Sequence, residues 1–232
     1  MNKKMKILIP IFFLICCAAA AFGQERYVKP FDEAAKDPSF LAFRTKLIAA
    51  VERRDAQFIL GMLDPKIELS FGGESGIADF KRIWKITSKN SKFWDTFLPI
   101  IKNGGKFERY GEPRRTDFAA PYTYSGLPED LDFSEYLMIF GSDVNLRDAP
   151  NAAAAVIDRL SYNIVKIDEP ASIKRKTGKG EDDWEYDWYK VETLGGKKGF
   201  VKAEFVRSAV DYRAGFEKKK GVWKMIFFIA GD

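Results

Sequence analysis

The sequence predicts an α+β protein: a mostly helical N-terminal region, a small all-β barrel in the second half, and a C-terminal β-hairpin that joins the two. Three observations carry this. Apolar residues recur at helical spacing from Phe40 to Ile101. Short β-branched and aromatic runs separated by turn residues fill the stretch from Val144 to Val201. Finally, Val222 to Ala230 is apolar on both strand faces, which marks a strand buried on both sides.

The chain opens with Lys3, Lys4 and Lys6, then an apolar run from Ile7 to Ala21, then small residues ending at Gly23. A basic head, a short apolar middle and a small-residue exit describe a secretory signal peptide spanning 1–23, cleaved after Ala21-Phe22-Gly23. An uncleaved membrane anchor and a lipidated cysteine in Leu14-Ile15-Cys16-Cys17 are the alternatives, and with them the only route to a membrane. Both cysteines of the chain lie in this segment, so the mature protein holds no disulfide and must rely on its core. Cleavage also removes three lysines, leaving 35 basic against 33 acidic residues. So balanced a charge argues against a nucleic-acid partner.

The N-terminal domain is expected over 24–110. Asp37-Pro38 is a helix start, the Asp as cap and the Pro at the first helical position, with Phe40, Phe43, Leu47, Ile48 and Val51 forming the apolar stripe of a helix over 38–53. Asp55 caps a second, shorter helix through Leu63, and Ile67, Leu69 and Phe71 alternate as a strand. Gly72 to Gly76 forms a turn, with Glu74 or Ser75 capping a helix that starts near Ile77; a further helix runs from Phe93 to Asn103-Gly104-Gly105. Residues 111–131, rich in Pro and Gly, read as an irregular connector lying against a surface, the barrel as 132–208 and the hairpin as 209–232. Because the barrel is complete by Ser208, the hairpin is expected to pair with the strand at Ile67–Phe71. The barrel is then inserted into, or clasped by, a domain made from both chain ends.

Within the barrel, Val144-Asn145-Leu146-Arg147-Asp148-Ala149-Pro150, Val156-Ile157-Asp158-Arg159-Leu160, Trp188-Tyr189-Lys190-Val191 and Gly199-Phe200-Val201 occur in that order. This series resembles the bacterial SH3-like (SH3b) domain, with its V-N-(V/L)-R-x-x-P, V-I-x-x-L, W-x-K-V and G-(W/Y/F)-V motifs. The resemblance implies an SH3-like small β-barrel that binds a cell-wall peptide or an envelope protein through aromatics along a groove. It also implies that Trp188 and Phe200 are core positions. Tyr186 and Tyr189, with Trp184, are then the surface candidates, Tyr189 by its opposite strand parity; Tyr136 and Tyr162 are further aromatic candidates. Arg147 is expected to brace the turn at 148–151, against Asp143 or Asp158, with recognition of a peptide carboxylate as its other role. The loop at 169–183 carries both charge signs and reads as a solvated loop.

Catalysis finds little support in the residues. The chain has no histidine, and the mature chain no cysteine, which removes histidine-based nucleophile systems and His/Cys zinc sites; no cofactor or metal is called for. Carboxylate chemistry survives, with Glu68 and Glu74 beside a Gly-rich turn as an enzymatic or ligand-pocket alternative. Glu74-Ser75 resembles the Glu-Ser pair of lytic transglycosylases, without their longer motifs. The order of N-terminal elements and the final strand also loosely resemble the nuclear transport factor 2-like cone, which implies a pocket. The expectation is a non-enzymatic, exported, periplasmic or secreted binding protein.

Overall fold

The computed structural model describes residues 23–110, 115–175 and 186–231. The first helix, α1 (Pro38–Glu52), starts as the sequence dictates: the Asp37 carboxylate accepts hydrogen bonds from the amides of Ser39 and Phe40, with Pro38 at the first position. Asp55 does the same for α2 (Ala56–Met62), accepting from the Phe58 amide at 3.0 Å. The strand β1 (Leu63–Glu68) begins earlier than the alternation predicts and ends before Phe71. The Ser70 hydroxyl accepts from the amides of Gly72 and Glu74, which folds this stretch into a turn and leaves Phe71 exposed. Neither Glu74 nor Ser75 caps α3 (Gly76–Trp84) through its side chain. The Ser75 amide donates instead to the Asp79 carboxylate, and Lys85 in left-handed conformation ends the helix. α4 (Phe93–Lys102) completes the helical layer.

Residues 115–120 correct part of the expected irregular connector. β2 (Lys106–Tyr110) and β3 (Arg115–Ala120) pair antiparallel, Phe107 opposite Phe118, both against the helices. Proline and glycine near 111–113 hide this hairpin from a composition-based reading, whereas the aromatics on its strands fix its buried face.

The C-terminal strands β11 (Arg213–Lys219) and β12 (Val222–Ile229) meet at a two-residue turn in which Lys220 and Gly221 both have positive φ, the geometry that suits a tight hairpin. They join a five-stranded sheet in the order β1-β12-β11-β3-β2, with β1 parallel to β12. In this sheet β3 and β11 are neighbours, Ala120 opposite Ala214, although more than ninety residues separate them in sequence. The barrel is therefore inserted between two adjacent strands of the α+β body. The four helices cover one sheet face, and the space between is filled by aromatics: Phe40, Phe80, Phe93, Phe97, Phe118, Phe216 and Phe228 are all fully buried. Where a cone-like pocket was expected, the concave face is packed. The other face of β12 lies under the segment after β3, with Tyr124 against Phe227.

The inserted part comprises β4 (Tyr136–Ile139), β5 (Val144–Arg147), β6 (Val156–Leu160), β7 (Ile164–Lys174), β8 (Tyr186–Thr193), β9 (Lys198–Lys202) and β10 (Val206–Arg207), in the spatial order β10-β4-β7-β8-β9-β5-β6. Leu137, Ile139, Val144, Leu146, Val165, Val191 and Val201 build its core. β7 runs on through Lys174, so the first part of the expected charged loop is strand.

Residues 25–33, expected within the N-terminal domain, form a strap along the barrel. The Val28 amide donates to the Tyr162 carbonyl, the Ile164 amide to the Arg26 carbonyl, and the Glu33 amide to the Gly105 carbonyl on the α+β body. Val28, Tyr122, Met138, Ile164 and Ala209 make a third apolar cluster beneath the strap, with Tyr122 stacked on Phe140.

Candidate functional site

The face of β8 that the barrel leaves open is decided by Val191, which is buried in the core. Tyr189 lies two residues away, on the same side, and packs against that core. Trp188 therefore faces outward, half-buried, and this reverses the expected assignment of the two aromatics. Tyr186 would share the outward face if the strand were regular. However, Ile173 sits opposite Trp188 and Lys174 opposite Tyr186, so Asp187 is an extra residue on β8. This bulge turns Tyr186 inward. Its ring packs 4.7 Å from that of Tyr189, and its hydroxyl donates to Glu169 at 2.7 Å. Burial raises the pKa of both phenols, that of Tyr189 to about 12. Neither Tyr189, expected outside by its parity, nor Tyr186, expected at the surface beside the charged loop, is an exposed groove aromatic; Trp184 lies outside the described residues.

Trp188 forms one wall of a cleft of about 250 Å³, shared with Asp143, Asn145, Arg147, Lys202 and Phe205. The elements place these groups simply. Asn145 and Arg147 alternate on β5, Arg147 pairs with Phe200 of β9, and Trp188 lies opposite Lys202 in the β8–β9 ladder. Asp143 holds a positive φ of 55° at the entry to β5, its amide bonded to the Ser161 hydroxyl. Arg147 does not brace the turn at 148–151 through a carboxylate: its Nη1 donates to Ala154 O, farther along the loop, at 2.7 Å, while Asp158 is taken by Lys197. The Asn145 side-chain oxygen is buried and accepts no hydrogen bond from the protein. Phe200, expected in the core, is half-buried on the outer face with the Lys190 ammonium 4.5 Å from its ring centre.

The cleft thus gathers a guanidinium with one N–H committed, an ammonium shared with Glu204, and an indole. It is suited to an anionic group beside an apolar or extended segment. Asn145 and Lys202 were missed by the sequence reading; Asn145 lies inside the V-N-L-R motif but has no feature that separates a cleft residue from a strand residue. Tyr162, a candidate by composition, sits with φ 60° in the β6–β7 turn, and its carbonyl receives the strap. Tyr136 belongs to the third apolar cluster. Neither lines the cleft.

Glu68 and Glu74 do not assemble an acid–base pair. Glu68 is exposed at the end of β1, and Glu74 accepts a short hydrogen bond from the Ser70 hydroxyl, which holds its carboxyl below the usual range. A general acid needs the opposite shift. Among the described residues no group of three or more His, Cys, Asp or Glu is arranged to hold a metal ion.

Residues 142–207 match the family model described as the bacterial SH3 domain, just over a quarter of the chain. The match starts at the Ser142 edge of the cleft and ends on β10. No curated protein matches the chain. An SH3-like domain therefore occupies 142–207, of a family that typically binds proteins or peptides without catalysing a reaction.

Proposed function

We propose that this protein is an exported, non-enzymatic binding or scaffold protein of the bacterial cell envelope. Its SH3-like domain holds a cell-wall peptide, a peptidoglycan stem or a segment of an envelope protein in the cleft between Arg147 and Trp188. The observation that carries this reading is the half-buried Trp188 indole set beside Arg147 and Lys202 in one cleft of the domain. An outward-facing aromatic next to cationic side chains is the kind of surface on which peptide anchors dock. Arg147 and Lys202 then face the acidic side chains or terminal carboxylate of such a peptide, and Trp188 supplies the apolar wall. Export rests on the basic and apolar N-terminal stretch of the sequence.

Sedimentation with purified sacculi tests the reading. Wild type should pellet with the wall, and Trp188→Ala and Lys202→Glu should stay largely in solution while melting close to wild type. If sacculi do not retain the protein, a photo-crosslinker at position 188 should capture an envelope protein. Failure of both, or release of soluble wall fragments by the purified protein, refutes it.

A further inference from the structure

A second concavity lies on the α+β body, built without any residue of the SH3-like domain. Ala42, Phe43 and Lys46 of α1 form one wall, Phe58, Gly61 and Met62 of α2 the other, and the hairpin turn at Gly221–Trp223 closes one side. Its volume of about 560 Å³ falls in the range of roughly 300–1,000 Å³ typical of small-ligand sites.

Gly61 is the informative residue. It lies inside α2 with an ordinary helical backbone, and a Cβ built there meets nothing within 4 Å. Glycine weakens a helix relative to alanine, and here neither backbone conformation nor a neighbour requires it. The contrast is with Gly105 and Gly215, where a Cβ would collide at 2.0 and 2.1 Å. What the missing side chain does provide is an open groove floor.

The rim is cationic. Lys46 and Lys220 make no hydrogen bond or ion pair among the described residues. Lys218 donates to the Ser39 hydroxyl and Lys224 to the Gly61 carbonyl, both at 2.7 Å; these acceptors are neutral, so the ammonium charges persist. Only Lys219 is neutralised, by Asp64 and Glu217, and Asp37 is the remaining carboxylate near Lys218.

An apolar slot with a positive rim matches one chemistry. We propose that this groove binds a single anionic amphiphile, a fatty acid being the simplest, its alkyl chain over Phe58, Gly61 and Val222 and its carboxylate among Lys46 and Lys220. The lining is a shallow groove between two helices and a hairpin, about the width of one alkyl chain and bounded on one side by the turn at Gly221–Trp223. This site is independent of the cleft reading, since no barrel residue takes part.

Titration calorimetry with the full chain tests it, using dodecanoate below its micelle threshold and, separately, dodecyltrimethylammonium and phosphatidylglycerol vesicles. Dodecanoate should bind one to one, at least tenfold more tightly than the cationic amphiphile. Gly61→Leu, which fills the groove where space is free, should abolish binding while keeping or raising the melting temperature. The Lys46→Glu/Lys220→Glu pair should weaken binding at least tenfold. Equal binding of both amphiphiles, unchanged binding by Gly61→Leu, or binding to vesicles without monomer binding overturns the proposal.

Discussion

Replacing Tyr186 and Tyr189 together by alanine should unfold the SH3-like domain, whereas Trp188→Ala should leave it standing. The magnitudes follow from where the rings sit. Tyr186 is 8% exposed and its hydroxyl is bonded to Glu169, so truncation removes a nearly buried ring and a hydrogen bond to a carboxylate. Large aromatic-to-alanine changes in cores cost about 3–5 kcal/mol. Tyr189 is half-buried against the barrel core and adds about 2 kcal/mol on the same scale; the two rings touch, so the sum is not strictly additive. A combined loss of roughly 5 kcal/mol compares with a total stability of about 3–10 kcal/mol for a unit the size of the matched domain, at about 0.05–0.15 kcal/mol per residue. Trp188 stands on the open face and contributes no buried core contact, so its removal should cost about 1 kcal/mol. Urea unfolding followed by near-UV circular dichroism, with trypsin susceptibility between β4 and β10, reads both. A double variant within about 1 kcal/mol of wild type refutes the inward orientation of these tyrosines, and with it the bulge at Asp187 that turns Tyr186.

Two glycine substitutions should move stability in opposite directions. Gly61→Ala should raise it by about 1 kcal/mol, since the helix gains propensity and the new methyl meets open space. That corresponds to a melting-temperature rise of about 2–4 °C for a chain of this length. Gly215→Ala should lower stability by about 1–3 kcal/mol, because its Cβ would press on the Phe227 ring, itself packed on Tyr124. Alkaline pH should also destabilise the fold. Burial pushes the Tyr122 and Tyr189 phenols up to about 12, above the value near 10 of an unfolded chain. The native state holds those protons more tightly, so this contribution is complete below pH 10 and is lost as pH rises from about 10 to 12. Melting temperatures measured across that window should fall together with the appearance of tyrosinate absorbance; a flat profile contradicts the burial of these rings.

Much of the fold is legible because its signals are local. Asp37-Pro38 and Asp55 announce their helices through side chains that reach amides two or three residues on. The insertion is legible too: a barrel already complete, followed by a strand apolar on both faces, leaves the hairpin no partner except the N-terminal body. The site is less legible, for a physical reason. In the sequence the faces of Trp188 and Tyr189 follow from a core position that the resemblance implies, but buried Val191 sets the opposite parity, while one extra residue at Asp187 turns Tyr186 inward. β3 was hidden because the turn chemistry around Pro113 dominates composition, although Phe107 and Phe118 face each other across the ladder. The strap at 25–33 has no periodicity at all. It is held by backbone groups of the barrel and by paired side chains such as Arg26–Asp130, partners more than a hundred residues away.

The joint between the two bodies is built to be specific rather than merely adhesive. Chain crosses it after β3 and before β11, and the strap crosses it a third time between Tyr162 and Gly105. At the second crossing Arg213 is buried, with its guanidinium 5.0 Å from the Tyr124 ring centre and 5.5 Å from that of Phe71, and it donates to the Val210 carbonyl. Each such cation–ring contact contributes about 0.5–2 kcal/mol, depending on desolvation. Phe71 is otherwise exposed on its turn, so Arg213 gives that ring a structural use that apolar burial does not. Asp211 lies in the same joint, 3.8 Å from Arg207 and accepting a hydrogen bond from the Ser208 amide. Displacing the barrel would uncover the third apolar cluster and strand these charges together, a far greater cost than bending a linker. The cleft at Trp188 is therefore carried in a set relation to the groove at Gly61, and a ligand at either would meet the protein as one body.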